Sequence, residues 1–405
     1  MNSSFTLESA PHDLGVTATG RIMKILILTL IPALLVNIYF YGFGVLINVL
    51  LSLVACLVTE GVMLRLRKRH LNLLWRDNSA AVTAVILGLT LPQLLPWHLT
   101  VIGSVFAIAL VKHAFGGLGQ NVFNPAMAAF VFLLISSPVQ MTSYVSPVPG
   151  NWEHLTLSRS AQAIFGSAAV RDSVRKETHD AILESLVMPR DKKEFFKLAD
   201  SFTGPTFLTD VMHERPDGDA AAQVFAELTD VMHERPAKAN PEASVQGWVE
   251  GARGTGDLPW LFIGHLCTSL AFLLGGIILM VFRVIDWRIP VSFLTVSGGL
   301  FTVFWAVSPE AFLAPAWHLI FGATVFGAFY IMTDPVTAVP KPQGAWIFGA
   351  TVAVIFVIIR NLGGYPDAMA FSVLLGNAAA PLISILTRRR EFGAGYSPEV
   401  LHQHD

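Results

Sequence analysis

Ten apolar segments run through this chain, and one charged stretch of about 120 residues near the middle interrupts them. Spans of about 20 residues each are the length a bilayer demands, so the layout specifies a polytopic membrane protein with a single large extramembrane loop. Charge distribution supports this. Only 14% of the 405 residues are charged, where a soluble domain carries about 25%. Residues 138–257 hold 12 of the 27 Lys+Arg and 18 of the 29 Asp+Glu. The remaining sequence is poorer still in charge, as lipid requires.

The spacing predicts spans at 23–41, 44–64, 79–95, 98–114, 124–138, 258–282, 289–307, 312–332, 344–361 and 366–386. The third to fifth are short and contain Pro or Gly, the pattern of tilted or broken helices. Basic residues orient the set. Arg65, Arg67, Lys68, Arg69, Arg76, Lys112, Arg283, Arg288, Lys341 and Arg388 to Arg390 all fall on one side, and the opposite short loops carry only Arg360. By that rule residues 1–22 and 387–405 are cytoplasmic and the 139–257 loop is periplasmic, between membrane units 23–138 and 258–386.

Two repeats are visible. Gly116-Gly117 leads to Pro125 and an Ala129-Phe130 run, and Gly363-Gly364 leads to Pro366 and an Ala370-Phe371 run. These are the fifth and tenth spans. Two units with an odd number of spans are related by inversion, as in many transport folds. A nine-residue segment, Leu208 to Pro216, also recurs unchanged at Leu228 to Pro236. Its adjacent His and Glu lack metal-ligand spacing, and a recent local duplication accounts for it.

Some chemistries are excluded. A net charge of −2 and the lack of a basic patch argue against nucleic-acid partners; the chain's solvent is membrane lipid. Cys56 and Cys267 lie inside apolar runs with no CxxC, so neither an iron–sulfur site nor a disulfide framework is expected. His113, His265 and His318 lack ligand spacing. The glycines and amides of 116–125 suit a re-entrant turn packed in protein rather than a dinucleotide loop.

Intramembrane acids are costly and default to function. Glu60 lies near the cytoplasmic end of the second span and Asp334 closes the eighth. For Glu60 the alternative is an interfacial residue snorkelling toward the basic cluster. For Asp334 it is a turn residue ahead of Pro335.

Three stretches carry a family resemblance. They are His113-Ala114-Phe115-Gly116-Gly117-Leu118-Gly119-Gln120-Asn121-Val122-Phe123-Asn124-Pro125, Leu133-Leu134-Ile135-Ser136-Ser137-Pro138-Val139-Gln140-Met141-Thr142, and Phe321-Gly322-Ala323-Thr324 through Thr333-Asp334-Pro335-Val336-Thr337-Ala338. They resemble the NqrB/RnfD family, whose members are membrane subunits of ion-translocating Rnf electron-transport complexes and of sodium-pumping NADH:quinone reductases. The wording around Gly117 to Asn121 and Pro138 to Thr142 is nearer the Rnf side. The resemblance implies an inner-membrane redox subunit. It would exchange electrons between ferredoxin and NAD with coupled Na⁺ or H⁺ movement, and would not be active alone. It implies the A, B, C, E and G subunits of the Rnf complex as partners, and a flavin transferase for maturation. It implies FMN held by a phosphoester to a loop threonine, and leaves a second, non-covalent flavin open. The best match to the family's threonine motif is Thr203-Gly204-Pro205-Thr206. Thr206 would be the acceptor, with Thr203 and Gly204 beside it and Thr209 and Thr229 as the alternatives. Pro205 stands where the family often has Ala. The resemblance also implies cation uptake at the acids matching Glu60 and Asp334. A solute transporter or channel without redox chemistry would share the spans and the repeat.

Overall fold

The computed structural model describes residues 16–72, 77–145, 147, 150–185, 260–307, 315–320, 322–362 and 368–387. Every element among them is helical. Lipid leaves no alternative for an open chain, because a backbone amide there finds no water to bond. In chain order the helices are α1 (Val16–Tyr41), α2 (Gly44–Leu66), α3 (Ser79–Thr90), α4 (Trp97–His113), α5 (Pro125–Ser136), α6 (Pro138–Met141), α7 (Asn151–His154), α8 (Leu157–Phe165), α9 (Ala168–Ser185), α10 (Trp260–Val281), α11 (Arg288–Val307), α12 (Pro315–Ile320), α13 (Thr324–Phe326, continuing as a π turn over Gly327–Ile331), α14 (Pro342–Leu362) and α15 (Ala368–Leu386). Each of the ten apolar segments therefore carries helix. The protein is an all-α polytopic membrane protein: among the described residues six helices are long and apolar enough to cross a bilayer, and α3, α4 and α5 are shorter apolar helices. The eighth segment is broken between α12 and α13, where Gly322 has φ +78.

The helices fall into two units, α1–α5 and α10–α15, with a common plan. In the first unit the second and fourth helices run parallel. Asn48 of α2 meets Thr100 of α4, Cys56 meets Ser104, and Glu60 meets Lys112. In the second, α11 and α14 run parallel too: Ser292 Oγ donates to Trp346 O, and Phe301 lies against Phe356. Between units, first helices pair with first and fifth with fifth. The α1–α10 pair is antiparallel. Tyr41 meets His265 at one end, and farther along Gly275 packs on the carbonyl of Thr29, which accepts from Tyr330 Oη. Same-ranked helices of opposite direction are the signature of an inverted repeat.

Periodicity decides which face each helix buries. Along α2, Gly44, Asn48, Ser52, Cys56, Glu60 and Leu64 recur at every fourth position and are all buried. Leu50, Val54, Val58, Val62 and Leu66 recur with the same spacing and are exposed on another face. In water this would be inverted; in lipid the apolar stripe faces solvent and small or polar residues face the partner helix. Small residues let the backbones meet. A Cβ at Gly88 of α3 would stand 2.6 Å from Val49 Cα of α2.

The first part of the large loop is folded. Helices α7–α9 cap one end of the bundle, where Phe43 N donates to Leu155 O over 3.1 Å and Leu155 packs with Leu94, Val145, Ala163 and Val174. Gln93 Oε1 accepts from Val145 N and ties the α3–α4 link to the same cap. Glu60 lies 17 residues along α2 from Phe43, about 25 Å away at 1.5 Å per residue. The cap and Glu60 are therefore at opposite ends of the bundle.

The Gly88 contact generates a test. Gly88→Val adds volume against backbone that cannot swing aside, and is expected to cost about 1–3 kcal/mol. Gly299→Ala, where an added Cβ meets nothing within 4 Å, is the control. Thermal denaturation in detergent should show a clear loss for the first and little change for the second; equal behaviour would mean that α2 and α3 are not so closely apposed.

Candidate functional site

A buried ionic cluster sits at the end of the bundle away from the cap. Glu60 and Lys112 each have about 2% of their surface exposed. Lys112 Nζ donates to Glu60 Oε2 over 2.8 Å and to Ser79 Oγ over 2.7 Å. His113 Nε2 stands 3.0 Å from the same carboxylate oxygen, off the axis of its own N–H, so it makes an electrostatic contact rather than an aligned hydrogen bond. Its other nitrogen, Nδ1, faces Arg67 Nη1 at 3.4 Å, and Arg67 also donates to the His113 carbonyl. The Arg67 guanidinium can only donate, and these two contacts hold the His113 ring in place.

Three local features bring these groups together. Glu60 lies on the buried stripe of α2. Residues Phe106–His113 of α4 form a π-helix, with Ala114 N bonded to Ala109 O and Gly117 N to Lys112 O. The wider π turn advances each residue through a smaller angle than an α turn, so adjacent Lys112 and His113 both reach one carboxylate. Such π segments recur at functional sites. Ser79 is the first residue of α3, held by its own N–H to Asp77 Oδ1 over 3.1 Å. Immediately after the cluster, Gly116, Gly117 and Gly119 all take positive φ, which only glycine adopts without strain. The chain then turns to Asn124, whose side chain caps α5 by accepting from Ala126 N and Met127 N. The Gly/Asn/Pro-rich segment is thus a turn that presents the cluster, with Gly117, Asn121, Asn124 and Pro125 buried and Gly119, Gln120 and Val122 exposed.

The electrostatics follow. A carboxylate with almost no solvent contact needs a counter-charge, and removing one partner of such a pair costs about 3–5 kcal/mol. Lys112 supplies that counter-charge, 2.8 Å from Glu60. Glu60 is therefore no snorkelling surface residue. Lys112, counted from sequence among the orienting basic residues, is not a solvated flank; it points into the protein because its partner is there. Sequence reasoning missed the pair. The four-residue stripes Asn48, Ser52, Cys56, Glu60 on α2 and Thr100, Ser104, Ile108, Lys112 on α4 were the available signal.

Asp334 is placed differently. It is half-buried after α13, with Oδ1 accepting from Val336 N over 3.1 Å and Oδ2 from Thr337 Oγ1 over 3.3 Å. These are the bonds of a turn-forming aspartate. It lies toward the same end as Glu60, because α13 runs away from the cap past Thr29. The structure does not join the two acids in one site.

The second unit repeats part of the plan. Arg360, in the last turn of α14, donates to Thr324 Oγ1 over 2.9 Å. Lys112 has the matching rank at the end of α4, and Ser79 and Thr324 each begin a helix of the third-ranked segment. In the second unit His318 stacks on Phe301 at 3.8 Å between centroids, and Arg360 lies over Phe356. Inversion puts this group at the cap end. Arg360 was the lone basic residue of the short loops on that side, and it too turns inward.

Thr203, Gly204 and Thr206 lie outside the described residues, as do Thr209 and Thr229. The described part of their loop is the α6–α9 cap. Cys56 of α2 and Cys267 of α10 are both free thiols.

Comparison with known proteins matches the chain to one family. Residues 6–393 match the model of the NQR2, RnfD, RnfE family. The chain is 37% identical over 390 residues to a Yersinia pseudotuberculosis protein named as the D subunit of an ion-translocating oxidoreductase complex, covering 96% of this chain and 98% of the relative. Proteins of the same name from Aeromonas salmonicida and Pectobacterium carotovorum are 37% and 38% identical, over 96% of this chain and 99% of each relative. With nearly the whole length matched on both sides, the chain belongs to the NQR2, RnfD, RnfE family.

Proposed function

We propose that this chain is the flavin-carrying membrane subunit of an ion-translocating electron-transport complex of the bacterial inner membrane. In that complex electrons pass between ferredoxin and NAD, and Na⁺ or H⁺ moves in step. One observation carries the proposal: a buried acid with a buried counter-cation, about 25 Å along α2 from the capped end, in a chain whose relatives are named as subunits of such complexes. Those names favour a D-type subunit over the B-type one of a sodium-pumping quinone reductase. The A, B, C, E and G partners and a flavin transferase follow from the same reading, and a second, non-covalent flavin stays compatible with it.

The acceptor chemistry fits FMN. Thr206 offers a hydroxyl able to form a phosphoester, and Gly204 lets the backbone approach the phosphate closely. Bound there, FMN supplies the capacity to accept and pass on electrons. The chain's own work is the rest: the loop tethers the group, the α6–α9 cap anchors that loop, and the helices keep Glu60 away from bulk water. A carboxylate in this position replaces part of the hydration shell of an entering cation. Asp334, toward the same end, is the other acid assigned to ion entry.

Thr206→Ala is expected to remove flavin fluorescence from this protein on a denaturing gel. Undiminished fluorescence would move the linkage to Thr209 or Thr229, and no fluorescence in the wild type would leave a transporter without redox chemistry. Orientation is tested separately. The basic-residue bias places the large loop in the periplasm, so a cysteine replacing Gly218 should react with an impermeant thiol reagent in intact spheroplasts. Labelling only after membrane rupture would reverse the topology. Glu60→Gln and Asp334→Asn should each keep flavin content while weakening the ion dependence of turnover in the assembled complex. Wild-type ion dependence in both would make the two acids structural.

A further inference from the structure

We propose that the Lys112 ammonium occupies a small-cation site made by Glu60 and Ser79, and that a sodium ion binds there only by displacing it. The inference rests on reading Glu60 as an ion-pathway residue, and adds Lys112 as the resident competitor that sets its affinity. Nζ lies 2.8 Å from Glu60 Oε2 and 2.7 Å from Ser79 Oγ. A carboxylate and a hydroxyl converging on one buried point are the hard oxygen donors that hard metal cations prefer. The point already holds a unit positive charge. A second cation beside it would meet like-charge repulsion in a medium of low dielectric, so the two occupancies are exclusive.

The surroundings allow the exchange. Ser79 follows Asp77, a second buried acid whose Oδ1 accepts from Ser79 N. An ammonium leaving both Glu60 and Ser79 can therefore turn toward another carboxylate, that of Asp77, keeping its proton. Lys112 also sits on the π segment of α4. Returning that wide turn to α geometry shifts the register by one residue and rotates Lys112 away from α2. His113 is held on its far side by Arg67. The exchange is charge-balanced: the sodium ion takes the place of the ammonium on Glu60, and the ammonium moves without losing a proton.

The test compares three variants in the assembled complex: Glu60→Gln, Lys112→Met, and the two together. Turnover and melting temperature are followed as sodium chloride replaces choline chloride at constant ionic strength. Without the competitor, Lys112→Met should reach half-maximal activation at a sodium concentration lower by about tenfold, within the usual range of coupling between two ligands. Its melting temperature should rise with sodium more than the wild type's, and adding Glu60→Gln should abolish that rise. If Lys112→Met assembles only in high sodium while the double variant assembles without it, the proposal is supported. Failure of Lys112→Met at every sodium concentration, with the double variant intact, would show that sodium cannot replace the ammonium and would overturn it. So would an unchanged sodium response in Lys112→Met. In that case loss of sodium dependence in Glu60→Gln keeps Glu60 on the ion pathway, whereas retained dependence removes Glu60 and the proposal together.

Discussion

Lipid offers no water to a backbone amide or to a charge, and most of this structure follows from that. The first consequence is that all described elements are helices, which bond their own backbone. The second is that the breaks in helical order are repaired inside the protein. Asn124 closes the open N–H groups at the start of α5, and in the α3–α4 link the carbonyl of Pro92 accepts from Asn48 Nδ2 as well as from Leu95 N. The third is that the buried charge at Glu60 comes with its opposite, at 2.8 Å.

An inverted repeat turns one packing solution into two sites of opposite direction. In both units the fourth helix carries a cation in its last turn, bonded to a hydroxyl that begins a helix of the third-ranked segment. Inversion sends one cation to each end of the bundle. Sequence then differentiates them. The first unit supplies Glu60 against Lys112, an ion pair; the second supplies aromatic rings, with Phe301 on His318 and Phe356 under Arg360. One end thus has donors suited to a small cation, and the other a basic group set among π faces at the capped end.

Sequence periodicity carried much of the architecture. The apolar segments predicted all ten helical regions, because the bilayer sets a minimum length and a composition that few other folds share. The short third to fifth spans and the turn at 116–125 were also legible, since Gly and Pro at those places permit little else. Basic residues were less informative than their positions suggested: Lys112 and Arg360 both looked like flanking charges and both are internal. Charge counts along a chain do not say which way a side chain points.

Sequence by itself therefore determined the class of protein, the ten apolar segments that carry helix, the family and the identity of Glu60 as an acid within an apolar span, because each depends on composition and local order along the chain. It also singled out Thr206 as the flavin acceptor to test. Only the tertiary structure decided what Glu60 touches. Lys112 is 52 residues away from it and Ser79 is 19 away, on two other helices, and their meeting depends on the parallel packing of α2 and α4 and on the π turn of α4. Asp334 was separated from Glu60 in the same way: both are acids near the ends of apolar runs, but one is locked in an ion pair between helices and the other bonds its own turn. Contacts between helices are set by which faces meet, and that is a property of the whole bundle.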